Sequence, residues 1–179
     1  MEGNVETQYI AASEKLAIRR SGADDLAFVV RAEREDENRP FIAPWERERH
    51  AAAQNDSDAM HLLIEDPEAN PVGFAIVYGL LNPNRSIELR RLVITAKGRG
   101  YGKEALRMLQ VFAFGRLRAH RLWLDVKESN ERAKRLYESL GFQHEGKLRE
   151  CIRTAAGYES LLVMSMLAHE YARDNEVAP

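Results

Sequence analysis

Apolar and polar positions along this chain switch between a period of two and a period near 3.6, and the switches mark its elements. Residues 16–19 (Leu-Ala-Ile-Arg) read as a short strand. Ser21 to Asp25 supply capping side chains, and Leu26, Val29, Val30 and Glu33 follow at helical spacing. Pro40 and Pro44 break the chain before a second short helix from Trp45, because the residue before a proline is pushed out of the helical region. Residues 60–65 and 72–80 are apolar runs joined by Asp66-Pro67-Glu68-Ala69-Asn70, which predicts a hairpin. Asn82-Pro83-Asn84 is a further turn, leading into a strand over 86–94. Ala105, Met108, Leu109, Phe112 and Ala113 form the stripe of a long helix, and Leu122, Leu124 and Val126 alternate as a strand over 121–127. Ala133, Leu136, Tyr137 and Leu140 mark a helix over 130–140, closed by Gly141 as its C-cap. Two strands finish the pattern, near 142–151 and 158–166. This order predicts an α/β (α+β) fold with a mixed central sheet of about six to seven strands flanked by helices.

The ends lack periodicity, so residues 1–15 and 172–179 are expected to be tails around a single domain over 16–171. A length of 179 residues fits one such domain. The lone Cys151 allows no intramolecular disulfide and reads as a small buried apolar residue rather than a nucleophile. His50, His61, His120, His144 and His169 show no metal-ligand spacing, so no metal is expected. A net charge of −2 gives no field for nucleic acid, and Arg116, Arg118, His120 and Arg121 are too few to build one locally. No stretch approaches the ~20 apolar residues of a membrane helix, and residues 1–15 lack the apolar core of a signal peptide. A cytoplasmic protein without membrane partners is expected.

The chemistry concentrates in Gly98-Arg99-Gly100-Tyr101-Gly102-Lys103, which follows a strand and opens the long helix. Free backbone N–H groups at a helix start favour a bound phosphate, and glycines let the main chain approach it. Read alone, the same run is better taken as an ordinary flexible turn. A P-loop requires glycine and Ser/Thr where this chain has Lys97 and Glu104, and a dinucleotide fingerprint requires glycine at Lys103. Neither an ATPase nor a dehydrogenase is supported.

Lys97-Gly98-Arg99-Gly100-Tyr101-Gly102 resembles the pyrophosphate loop of the GNAT superfamily of acetyl-CoA-dependent N-acetyltransferases, Arg/Gln-x-x-Gly-x-Gly/Ala, with Lys97 at the first position. Asn130-x-x-Ala133-x-x-Leu136-Tyr137-x-x-x-Gly141-Phe142 is similar to that family's later helix and turn. Gly141-Phe142-x-x-Glu145-Gly146-x-Leu148-x-Glu150 with Gly157-Tyr158-Glu159 further resembles the branch of ribosomal-protein N-terminal and spermidine N-acetyltransferases.

The resemblance implies a GNAT-like acyl-CoA N-acyltransferase fold and direct attack of an amine on acetyl-CoA in a ternary complex. Leu92, Val93 and Ile94 would offer backbone groups to the pantetheine arm; Lys97, Gly98, Arg99, Gly100, Tyr101, Gly102 and Lys103 would hold the pyrophosphate. Asn130 and Lys134 would touch the cofactor, although Asn130 also suits a helix N-cap. Tyr137 is implied as the general acid for the departing thiolate; by its stripe alone it would be a core residue. Glu88 is implied as the general base, or it pairs with Arg90, Arg91 or Lys127 on the sheet. The acceptor would be a protein N-terminus, a polyamine or another small amine, received by the first helices. There Glu33, Glu35, Asp36 and Glu37 could attract a cation, though Arg31, Arg34 and Arg39 interleave as in a solvated mixed-charge face. Phe41 is expected in the core, and Trp45 either there or at the acceptor. Edge strands leave room for a homodimer. The rival reading is a non-catalytic acetyl-CoA-binding module.

Overall fold

Tyr9–Ala12 (β1), Ala17–Arg20 (β2), Ala59–Glu65 (β3), Pro71–Tyr78 (β4) and Ser86–Ile94 (β5) pair antiparallel in succession in the computed structural model, which describes residues 9–176. Arg121–Lys127 (β6) lies parallel to β5 and is followed outward by Gly157–Leu167 (β8) and then Gln143–Thr154 (β7), both antiparallel. The sheet therefore has eight strands in the order β1-β2-β3-β4-β5-β6-β8-β7.

Strict alternation sends neighbouring residues of β3 to opposite faces. Leu63 joins Phe74, Ile76 and Val93 in a cluster beneath Leu26–Glu33 (α1) and Arg47–Asn55 (α2). Leu62 and Ile64 join Ala75, Val77, Ile87 and Leu89 under Tyr101–Val111 (α3). Glu131–Ser139 (α4) packs at the rim of that second cluster through Ala133, Leu136 and Tyr137. No residue of α4 is fully buried, because its apolar stripe borders an open cleft rather than solid core.

The count exceeds the expected six to seven strands by β1, which lies in the stretch expected as a tail. Four residues carry too little alternation to announce a strand. Its pairing with β2 and the packing of Ile10 and Ala11 on the core settle it instead. The C-terminal expectation needs the same correction. Ala168–Glu176 (α5) is helical beyond residue 171, with Tyr171 stacked on Phe114 at 4.7 Å. Of the expected tails, residues 1–8 and 177–179 lie outside the described residues. Cys151 is exposed, not buried, because β7 is the edge strand. Among the described residues no helix is long and apolar enough to cross a membrane, and no three metal-capable side chains converge.

Two irregularities in β5 prepare the site. Parallel pairing with β6 covers only Ser86↔Arg121, Ile87↔Leu122 and Glu88↔Trp123, after which the strands diverge. The β4 register also jumps from Val77↔Leu89 to Ile76↔Arg91, leaving Arg90 as an extra residue in a bulge. The bulge shifts the strand's alternation by one position. Leu92 and Ile94 therefore continue the face of Leu89 beneath α3, while Arg91 and Val93 turn toward α1.

Candidate active site

The divergence of β5 and β6 opens a cleft of about 1070 Å³ between the α1–α2 loop and the N-termini of α3 and α4. At one end, Gly98 and Gly100 both sit at φ 78°, in the left-handed region that glycine adopts freely. The first helical bond of α3 is Glu104 N–H to the Gly100 carbonyl, at 3.1 Å. The N–H groups of Tyr101, Gly102 and Lys103 consequently have no helical partner and face the cleft with the helix dipole behind them. A Cβ at Gly100 would meet nothing within 4 Å, so the space over it is open for an anion. Lys103 lines this end together with Arg132 and Arg135, two cations that sequence reasoning missed. Their signal was present: both fall in the first turns of the helix capped by Asn130, where they add charge to a second helix N-terminus.

Replacing Gly100 with Ala forces a side chain into a left-handed position, at a cost of roughly 1–2 kcal/mol, and into the anion's space. The expected outcome is at least a tenfold loss of acetyl-CoA affinity by calorimetry with only a modest drop in Tm. Unchanged affinity would remove this loop from cofactor binding.

The remaining residues expected at the cofactor divide. Asn130 lines the cleft while its Oδ1 accepts the Ala133 N–H at 3.1 Å, so it caps α4 and borders the cleft together. Lys97 also lines the cleft, but its Nζ donates to Asn38 Oδ1 in the α1–α2 loop. Burial, with Arg132 nearby, lowers its pKa. Arg99 is not among the cleft residues, and Lys134 is paired with Glu131 at 2.5 Å. Along β5, Thr95 N–H donates to the Val72 carbonyl at 2.9 Å, so alternation turns the backbone groups of Ile94 and Leu92 the other way. They point into the gap that β6 has vacated. Val93 has its side chain in the α1-side core and its backbone toward β4, so it does not face the cleft.

In the middle of the cleft stand Tyr137 and Asp125. Tyr137 leans on Phe142, with ring centroids 5.8 Å apart, and its hydroxyl has no hydrogen-bond partner among the described residues. Burial, reinforced by the Asp125 charge, pushes this phenol up to about 12. Asp125 opens onto the cleft from β6 and has no hydrogen-bond partner among the described residues. Burial raises its pKa, against the pull of the Arg90 and Arg91 guanidiniums. Glu88, the base expected from the sequence, stands apart. It is buried, outside the cleft lining, and bound by Arg90 Nε at 2.7 Å and Nη2 at 2.7 Å. The sequence signal for Asp125 was its place between Leu124 and Val126, on the face of β6 opposite their buried side chains.

A family profile described as an Acetyltransferase (GNAT) domain matches residues 15–143 of the chain. The chain belongs to the GNAT acetyltransferases. It is an acetyl-CoA-dependent N-acetyltransferase, which sets aside the non-catalytic reading. This GNAT is 23% identical to the spermidine N(1)-acetyltransferase of Vibrio cholerae serotype O1 over 175 residues, covering 92% of this chain and 99% of that one. It is 36% identical to the spermine/spermidine N(1)-acetyltransferase of Bacillus subtilis over 89 residues, covering 45% of this chain and 58% of that one. Its fold agrees with the crystal structure of the Vibrio cholerae spermidine N-acetyltransferase in complex with CoA and spermine. The TM-score is 0.81 at 23% identity, over 89% of this chain and 99% of that one.

The far wall of the GNAT cleft is the α1–α2 loop, held down at three points. Lys97 reaches Asn38, Lys127 Nζ donates to the Pro40 carbonyl at 2.8 Å, and Arg91 Nη2 donates to the Ala43 carbonyl at 2.8 Å. Asp36, Glu37 and Phe41 of this loop line the cleft. Phe41, expected in the core, is 36% exposed, and Trp45 is the core residue at 5%. The loop between Pro40 and Pro44 instead carries Phe41 to the wall of the cleft. Glu33 is buried and engaged by Arg91, His50 and the Trp45 N–H, so it does not attract a cation from solvent.

Proposed function

We propose that this GNAT transfers the acetyl group of acetyl-CoA directly to a primary amine of a polyamine, with Asp125 receiving the ammonium and Tyr137 protonating the leaving thiolate. The observation that carries the reading is the placement of Asp125 and Tyr137 together where β5 and β6 diverge. The phosphates are assigned to the 98–103 loop with Arg132 and Arg135, and the pantetheine amides to the Leu92 and Ile94 backbone. The charge layout supports a cationic acceptor. Arg90 and Arg91 are matched by Glu88 and Glu33, while Asp36, Glu37 and Asp125 have no ion pair among the described residues. The likeness to spermidine and spermine N(1)-acetyltransferases points the same way.

An aliphatic ammonium with pKa near ~10 is almost wholly protonated at neutral pH. Asp125 takes one proton from it, and the neutral nitrogen attacks the thioester carbonyl. The C–N bond forms and the C–S bond breaks. The Tyr137 phenol gives its proton to the departing sulfur, and the second proton lost from nitrogen restores it. Asp125 returns its proton to solvent.

Thiol release measured with spermidine, spermine, amino acids and N-terminal peptides tests the acceptor. Turnover is expected with polyamines; release with peptides alone would make a protein N-terminus the acceptor. D125N is expected to lower kcat/KM for polyamine by about 10²-fold, as loss of a positioned proton acceptor does. E88Q should change it only a few-fold. The reverse order would return the base to Glu88.

A further inference from the structure

Behind the acceptor wall, a line of polar side chains crosses the α1–α2 layer and ends at Arg91. Gln54 Nε2 donates to Ser21 Oγ at 2.9 Å, and Ser21 Oγ lies 2.7 Å from His61 Nδ1. His61 Nε2 is 3.1 Å from His50 Nδ1, and His50 Nε2 is 3.3 Å from Glu33 Oε2. Glu33 Oε2 also accepts the Trp45 N–H at 2.7 Å, while Glu33 Oε1 accepts Arg91 Nε at 3.1 Å. Glu33 and His50 are 0% exposed and His61 is 2% exposed.

A run of donors in a single direction satisfies every contact. An ionised carboxylate only accepts, so His50 Nε2 carries hydrogen and its Nδ1 accepts. His61 Nε2 must then donate, which leaves His61 Nδ1 to accept from the Ser21 hydroxyl. In this arrangement every donor along the line points toward Glu33. The neighbouring charges from the packed elements are Asp25 and Glu33 on one side and Arg49, Arg90 and Arg91 on the other.

We infer that Glu33 and His50 are positioning residues for the acceptor, acting through Arg91 on the loop that walls the acceptor end of the cleft. The donor line keeps Glu33 ionised and aimed at Arg91. The guanidinium, 5.0 Å from the Trp45 ring centroid, then holds the Ala43 carbonyl. The course of residues 40–43, with Phe41 on the cleft, follows from that grip. Remote residues thereby fix the shape presented to the amine without touching it. The inference rests on the acceptor-side assignment made above, but its physical core concerns the loop alone.

The test compares His50→Leu, which fills the space without a donor, with His50→Gln, whose amide can still donate to Glu33. Hydrogen exchange by mass spectrometry reads the loop without any substrate. H50L is expected to speed exchange over residues 39–45 by about tenfold or more while the 98–103 loop keeps its wild-type rate. H50Q should recover most of the protection. In steady state, H50L should raise the acceptor KM about tenfold, the scale of a lost hydrogen bond to a charged group, with kcat and the acetyl-CoA KM nearly unchanged. His61→Gln, one step further along the line, gives a milder version should H50L fail to fold. Exchange that rises equally in all regions, or H50Q behaving like H50L, would overturn the inference. Failure of every polyamine as substrate would overturn the proposed acceptor, while the exchange result would still decide this one.

Discussion

Replacing Tyr137 with Phe is expected to lower kcat by about 10²-fold or more while acetyl-CoA affinity changes less than about twofold. The argument begins with protonation. With its pKa pushed up to about 12, the phenol stays protonated throughout the neutral range and is available as a donor. A thiol titrates near ~8.5, so its thiolate is a far better leaving group when a proton arrives as the C–S bond breaks. The substitution isolates this role. Phe keeps the ring against Phe142 and the apolar stripe of α4, and the lost hydroxyl has no hydrogen-bond partner among the described residues. No cavity opens and no buried group is orphaned, so Tm should hold. Steady-state kinetics at saturating amine, with calorimetry of acetyl-CoA binding alongside, reads the two effects apart. A kcat unchanged across several pH values would remove Tyr137 from the mechanism.

Acid is expected to weaken the fold through His61. Burial and the adjacent His50 lower its pKa from 6.5 to about 4. Between those values the unfolded chain binds a proton that the folded chain refuses. The stabilisation is therefore fully present above about pH 6.5 and is lost as pH falls toward 4. A shift of this size corresponds to about 3 kcal/mol. Glu33 and Asp25, whose pKa values are lowered in the fold, add losses at still lower pH. Asp125 and Glu88 are raised and act in the opposite sense, since protonating them relieves buried charge. Urea unfolding at pH 7.5, 6.5, 5.5 and 4.5 should show wild-type stability falling faster than that of His61→Gln over the lower three points. Parallel curves would mean that His61 does not carry the acid sensitivity.

The elements that could be read from the chain were those whose pattern is local. The stripe Ala105, Met108, Leu109, Phe112 and Ala113 is buried as a unit in the structure. Gly141 ends α4 at φ 87°, as a C-cap glycine should. What stayed hidden depends on pairing across the sheet. β1 exists because β2 offers an edge. Phe41 leaves its expected place in the core, and Trp45, whose place was open, takes one there, because the course of a proline-bounded loop is set by Arg91 and Lys127, residues distant in sequence. Glu88 and Asp125 are both acidic residues on neighbouring strands, and only the end of parallel pairing at Glu88↔Trp123 separates the enclosed one from the accessible one. The histidines posed the same difficulty. Their spacing shows no metal-ligand pattern, yet two of them meet in a chain of donors that no spacing announces.

The extra residue at Arg90 gives β5 a phase as well as a position. Upstream of it, odd-numbered residues face α3; downstream, even-numbered ones do. One strand thus addresses two partners that an unbroken alternation would place on the wrong sides. The carbonyls and amides of Leu92 and Ile94 open to the gap, while Arg91 reaches the loop over the acceptor. In this stretch the length of the chain is itself information. Any side chain at position 90 that tolerates the bulge preserves the reading frame of the sheet, whereas drawing residue 90 into regular pairing would exchange Arg91 and Leu92 between the two faces with their chemistry intact and misdirected.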